Sequence, residues 1–145
     1  MTGILNAQEL RKKIAIAEGE KTSAAMKKLA AAEAEKQALL EKMTRPSGLS
    51  DDEVLEKASI IINRAVENGL TSVQVYRFPH TLCSDNGRAV NQAEEGWEKT
   101  LTGIPKEIYE FWQRQLRSRG YHIRYEIIDY PGGMPGDVGV ILSWA

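Results

Sequence analysis

This 145-residue sequence contains one cysteine, two histidines and five prolines, and aromatic residues make up 7% of it. With Cys83 alone, neither an intrachain disulfide nor a thiolate zinc cluster can form, so the fold rests on packing rather than on a covalent or metal staple. A lone thiol suits a reducing compartment, and the expected location is cytoplasmic. Nowhere do about 18 apolar residues follow one another, so no membrane-spanning helix is expected. Residues 1–6 lack the basic stretch and apolar run of an export leader, and Thr2 stands where N-myristoylation requires glycine. No complete catalytic or metal-binding signature occurs, and the sequence calls for no cofactor.

Apolar residues are 42% of the chain and charged residues 27%, a composition that can bury a core. The formal net charge of −1 conceals an uneven distribution. Residues 1–45 hold nine Lys/Arg against six Asp/Glu, whereas residues 46–145 hold ten against fourteen. A second discontinuity falls at the same place. Before Thr44, Arg45, Pro46, Ser47 and Gly48 the sequence is rich in Ala, Lys and Glu; every aromatic residue lies after them. Two parts are therefore expected: a helical arm over 1–45 and a small globular domain over 46–145, large enough for one core.

Almost every residue from 7 to 43 is a good helix former, and the first proline is Pro46. The apolar positions Leu10, Ile14, Ala17, Ala25, Leu29, Ala32, Leu39 and Met43 recur mostly at spacings of three and four, with Lys21 and Lys36 intruding. Such a narrow stripe on a long helix reads as a coiled-coil seam or as a strut lying on another surface. Self-association through Leu10, Ile14, Leu29, Leu39 and Met43 is the expectation, giving a homo-oligomer or pairing with a helical protein partner. Gly19 with Thr22 and Ser23 marks a place for a bend or break. Lys and Glu are mixed around the helix and no Trp or Phe joins the apolar side, which argues against a membrane-surface helix.

After the break, Ser50 and Glu53 have the spacing of a reciprocal N-terminal cap, and Asp51 and Asp52 place negative charge at the positive end of the helix dipole. Val54, Leu55, Ala58, Ile61, Ile62 and Ala65 then form a wide apolar face that stops at Asn68 and Gly69. Residues 71–78 alternate as a strand, with Val73 and Val75 expected on one face and Tyr76 and Phe78 on the other. A helix is expected over 88–101, carrying Val90, Ala93, Trp97 and Leu101. Another is expected from Pro105 to Gly120, carrying Ile108, Phe111, Trp112 and Leu116. Residues 121–130 and 138–144 alternate as strands joined by a Gly/Pro-rich turn. The order helix-strand-helix-helix-strand-strand predicts an α+β or α/β fold with a small three-stranded mixed sheet, in which a helical crossover makes the first two strands parallel neighbours.

The chemistry-bearing residues gather in one place, the loop after the first strand, where His80, Cys83, Ser84 and Asp85 occur together. Ligands in α/β sheets favour the carboxyl ends of strands, so these four are the candidate ligand-binding residues. A thiolate at Cys83 with His80 as base is the catalytic version; a loop in which Asp85 caps the following helix is the structural one. His122, Arg124 and Glu126 share the polar face of the second strand, where a solvated cluster suits them better than a metal site. The turn at 131–137 lacks the Lys and Ser/Thr of a phosphate loop and leads into a strand. Arg114, Arg117, Arg119 and Arg124 with nearby rings form a basic stretch, diluted by Glu107, Glu110 and Glu126, so nucleic acid is not the expected partner. The leading expectation is a non-enzymatic binding or assembly protein that oligomerises through its N-terminal helix. In it the globular body offers a protein or small-ligand binding surface. The alternatives are a small enzyme using the His80–Cys83–Asp85 loop and a weak nucleic-acid binder using the four arginines.

Overall fold

The computed structural model describes residues 6–145; residues 1–5, where the absence of a leader pattern was read, lie outside it. The chain divides into two compact units, Met1–Glu41 and Lys42–Ala145.

The first unit is one helix, α1 (Ala7–Thr44), whose last turn belongs to the second unit. Asn6 starts it by accepting the Glu9 amide on its side-chain oxygen at 2.9 Å. The helix runs unbroken through Gly19, Thr22 and Ser23, and the Thr22 hydroxyl donates back to the Glu18 carbonyl at 3.0 Å. None of its residues is buried.

In the second unit, α2 (Asp51–Glu67) begins as the sequence predicts. The Ser50 hydroxyl accepts the Glu53 amide at 3.2 Å, and the Ser50 amide donates to the Glu53 carboxylate at 3.5 Å. Strand β1 (Ser72–Pro79) pairs with β3 (Asp137–Ser143), which also pairs with β2 (His122–Ile127). The strand order is β1-β3-β2 and both pairings are antiparallel. The α+β class is as expected, but the sheet is not mixed. β1 and β2 run in the same direction, as a crossover requires, yet β3 lies between them and takes all their ladder bonds.

The register contains a second departure. Gln74 faces Ile141 and Tyr76 faces Val140, so Val75 is an extra residue in a β-bulge. Val73, Tyr76 and Phe78 therefore all lie opposite Leu142, Val140 and Val138, on one face, where simple alternation had separated the two valines from the two rings. Ile123, Tyr125 and Ile127 join that face from β2. Phe78, Val138 and Val140 have no solvent exposure at all. The other face carries Gln74, Arg77, Arg124 and Glu126, all exposed.

The helix expected over 88–101 is broken. α3 spans only Arg88–Gln92, ending where Ala93 turns left-handed at φ 52°, and a tight 3-10 turn follows at Trp97–Thr100 after Gly96 at φ 81°. Periodicity alone concealed two consecutive reversals. The last helix, α4 (Gly103–Phe111), widens at Trp112–Leu116, tightens at Arg117–Arg119, and stops at the left-handed Gly120. Phe111, Leu116 and Leu142 form a buried cluster against which Val54, Leu55 and Ile62 of α2 and Val75 of β1 are packed. Helices thus cover the inner face of the sheet.

Candidate functional site

The four residues of the loop after β1 are not gathered on one surface. Cys83 is buried, with 2% of its surface exposed, and burial pushes its thiol above the usual range, a hydrogen bond with Thr100 opposing only part of that shift. A thiol held in its neutral form is a poor nucleophile. The His80 ring is tied elsewhere, Nδ1 donating to the Gly136 carbonyl at 2.8 Å, while the backbone joins the two residues through Cys83 N and His80 O at 3.0 Å. The Asp85 carboxylate accepts the amides of Gly87 at 3.0 Å and Ala89 at 2.9 Å, fastening the start of α3. Ser84 is exposed and its amide donates to Thr100 O at 2.7 Å. His80 and Asp85 line one groove of about 400 Å³ together with Arg88, Asn91 and Met134, and Cys83 and Ser84 are not among its lining residues. Among the described residues no group of three His, Cys, Asp or Glu side chains could hold a metal ion.

On α1, Leu10, Ile14, Leu29 and Leu39 are exposed at 48%, 58%, 71% and 54%. Met43 is different: it is half-buried and belongs to the second unit, where the neighbouring backbone crosses Gly103. Ile16 and Met26 are as exposed as the stripe residues, and at 100° per residue they project away from it. The helix thus carries apolar side chains on more than the one line its spacing suggested. No helix among the described residues is long and apolar enough to cross a membrane.

The arginines are dispersed. Arg114 holds Asp51 with Nη2 at 3.0 Å and Nε at 3.3 Å, and the Arg117 guanidinium lies 5.8 Å above the Trp112 ring. Arg124 pairs with Glu126 at 3.3 Å on the outer face of the sheet, across it from the helix that carries Arg114. His122 shares that outer face.

The feature that sequence reading missed is a cleft of about 330 Å³ between α2, α4 and the inner face of the sheet. Its walls are apolar: Val54, Ala58 and Ile61 from α2, Ile104, Ile108 and Phe111 from α4, Val75 and Tyr76 at the bulge, and Ile123 and Leu142 from β2 and β3. Leu49, Trp112 and Leu116 add to these walls, and five residues with polar or charged side chains besides Tyr76 and Trp112, namely Ser47, Asp51, Lys57, Glu107 and Arg114, complete the lining. The Glu107 carboxylate accepts Ser47 Oγ at 2.8 Å and Ser47 N at 3.1 Å. Asp51 accepts Arg114 and, at 3.0 Å, Gln115; these hydrogen bonds, Arg114's first, hold its carboxyl below the usual range. Lys57 has no such partner among the described residues. Tyr76 makes ring contact with Phe78 at 6.2 Å, and burial raises its phenol, but its hydroxyl bonds to no described residue. A volume near 300 Å³ with apolar walls and few polar groups has the proportions of a small-molecule site.

Beside the cleft a run of rings stiffens the core. Phe78, Tyr125, Trp97, Tyr109 and Trp112 follow one another with centroids 5.0–6.1 Å apart, and the Tyr125 hydroxyl donates to Pro105 O at 2.7 Å. Trp112 adds a bond from Nε1 to Tyr121 O at 2.9 Å.

Compared with known proteins, the chain matches no family model, no curated protein and no solved structure.

Proposed function

We propose that this is a non-enzymatic binding and assembly protein of the cytoplasm. In this reading α1 joins copies of the chain, or a helical partner, through Leu10, Ile14, Leu29, Leu39 and Met43, while the globular unit offers a small-ligand binding surface. One observation carries it: a 38-residue helix, about 57 Å long at 1.5 Å per residue, buries none of its residues. Most helical stability in proteins comes from packing an apolar face, and α1 leaves Leu10, Ile14, Ile16, Met26, Leu29 and Leu39 about half exposed or more. Ile16 and Met26, off the main stripe, favour a bundle of more than two helices over a two-stranded coil.

The alternatives have less support. Enzymatic use of the His80–Cys83–Asp85 loop would need a thiolate where burial favours the thiol, and a base whose Nδ1 and a carboxylate whose oxygens are already bonded. A nucleic-acid interface built from Arg114, Arg117, Arg119 and Arg124 would have to span both sides of the sheet. The lone buried thiol supports the cytoplasmic assignment.

Sedimentation equilibrium of the full chain, beside a Leu29→Glu, Leu39→Glu double variant, tests the assembly. The expected result is an oligomer for the first and a monomer for the second. A monomer in both at every concentration overturns it.

A further inference from the structure

We propose that the cleft between α2, α4 and the sheet binds a medium-chain aliphatic carboxylate, its chain among Val54, Ile61, Ile104 and Leu142 and its carboxylate at Lys57 and Tyr76. The inference rests on the reading of the globular unit as a ligand-binding surface and adds the class of ligand.

The walls select the body of the ligand. They are aliphatic along α2 and α4 and on the sheet side, with Phe111 and Trp112 at the helix joint, so a flexible hydrocarbon fits without leaving a buried polar group unpaired. The unused polar groups select its head. Four of the five polar lining residues are committed in pairs, Glu107 to Ser47 and Asp51 to Arg114. What remains is one ammonium, at Lys57, and one phenolic hydroxyl, at Tyr76. A cationic head would find both carboxylates already hydrogen-bonded and Lys57 repelling it. A phosphate, with close to two negative charges, would want more than one free cation. A carboxylate has one charge and two oxygens, matching one ammonium donor and one O–H donor. The bulge at Val75 puts Tyr76 in this wall; in an unbulged strand its ring would lie on the opposite face from Val75.

The test is titration of the full chain by methyl NMR with hexanoate, heptanoate, octanoate and octan-1-ol. The expected result is saturable shifts at the methyls of Ile61, Ile104 and Leu142. Affinity should rise about fourfold for each added methylene, the gain from burying one such group. Octanoate should bind several-fold more tightly than octanol. Lys57→Met, which keeps the apolar stem on an exposed residue, should weaken octanoate about fivefold and leave octanol unchanged, the upper range for an exposed ion pair. Tyr76→Phe should weaken octanoate alone by a smaller factor. Equal binding of octanol and octanoate, or indifference of octanoate to Lys57→Met, overturns the ligand class while leaving the cleft as a small-ligand site. Absence of binding by every compound overturns both. The assembly of α1, read by sedimentation, is independent of either result.

Discussion

Helix α1 and strand β3 are built on opposite terms. The helix is 38 residues long and buries none of them; β3 has seven residues, of which the five from 138 to 142 are buried. The helix satisfies its backbone internally and is specified by propensity, through Ala, Lys, Glu and Leu. The strand owes its backbone bonds to two neighbours and its side chains to the helices above it. The first element can be read one residue at a time, whereas the second has meaning only with its partners. A substitution should accordingly cost the molecule much or little according to which of these elements it touches.

The largest effect should come from the core. Phe111→Ala removes a ring that is 5% exposed and touches the cluster with Leu116 and Leu142, and should destabilise the globular unit by about 3–5 kcal/mol in urea unfolding. That is a large share of the stability of any domain of this size. Next comes Gly103, at φ +59°, where a Cβ would strike the Met43 carbonyl and approach the Thr44 backbone. Gly103→Ala should cost about 1–3 kcal/mol, and an unchanged urea midpoint would mean that the backbone there moves aside freely.

A third effect depends on pH. Burial raises Cys83 above its ordinary 9.0 and Tyr76, Tyr109 and Tyr125 above 10.0, so these groups keep their protons in the fold after the unfolded chain has lost them. Their contribution is intact below about pH 9 and declines as pH rises through the folded-state values, so thermal midpoints should fall from pH 9 upward. Cys83→Ala should flatten the first part of that decline and leave the part above pH 10. The smallest effect on the globular unit should be that of Leu29→Ala, 71% exposed on α1: within about 0.5 kcal/mol in its unfolding. The same change should raise the dissociation constant for self-association about tenfold, since a leucine is lost from the contact. A comparable shift in the unfolding of the globular unit would erase the contrast between the two regions.

What could be read from the sequence follows the same division. Helix α2 was legible in full because Ser50, Glu53 and Asn68 punctuate it and its apolar face repeats. The strands were legible as strands, but not their order, because alternation reports a buried face and says nothing of which neighbour supplies it. The bulge at Val75 leaves no mark in a run of β-formers, and without it the faces of Tyr76 and Phe78 come out reversed. Ala93 is a good helix former that nevertheless stands exposed at positive φ, so the helix expected through it was cut short. Asp85 was correctly weighed as a capping residue, whereas the cleft was invisible: its walls are drawn from α2, α4 and three strands, at positions that each read as ordinary core. Nor does Lys57 stand out in the sequence, since Glu53 lies four residues before it on α2; in the fold that carboxylate is taken up by the Ser50 cap.

The central position of β3 also sets an order of events in time. A chain emerging from the ribosome presents β1 and β2 first, and neither can close a ladder with the other, since the strand that joins them is made last of the three. Ser72 meets Ser143 across an interval of most of the globular unit, a separation that makes loop closure costly and nucleation slow. Until residue 137 and beyond are free of the exit tunnel, each early strand is unpaired on both edges rather than on one, and during that interval the nascent chain is most exposed to mispairing with its neighbours.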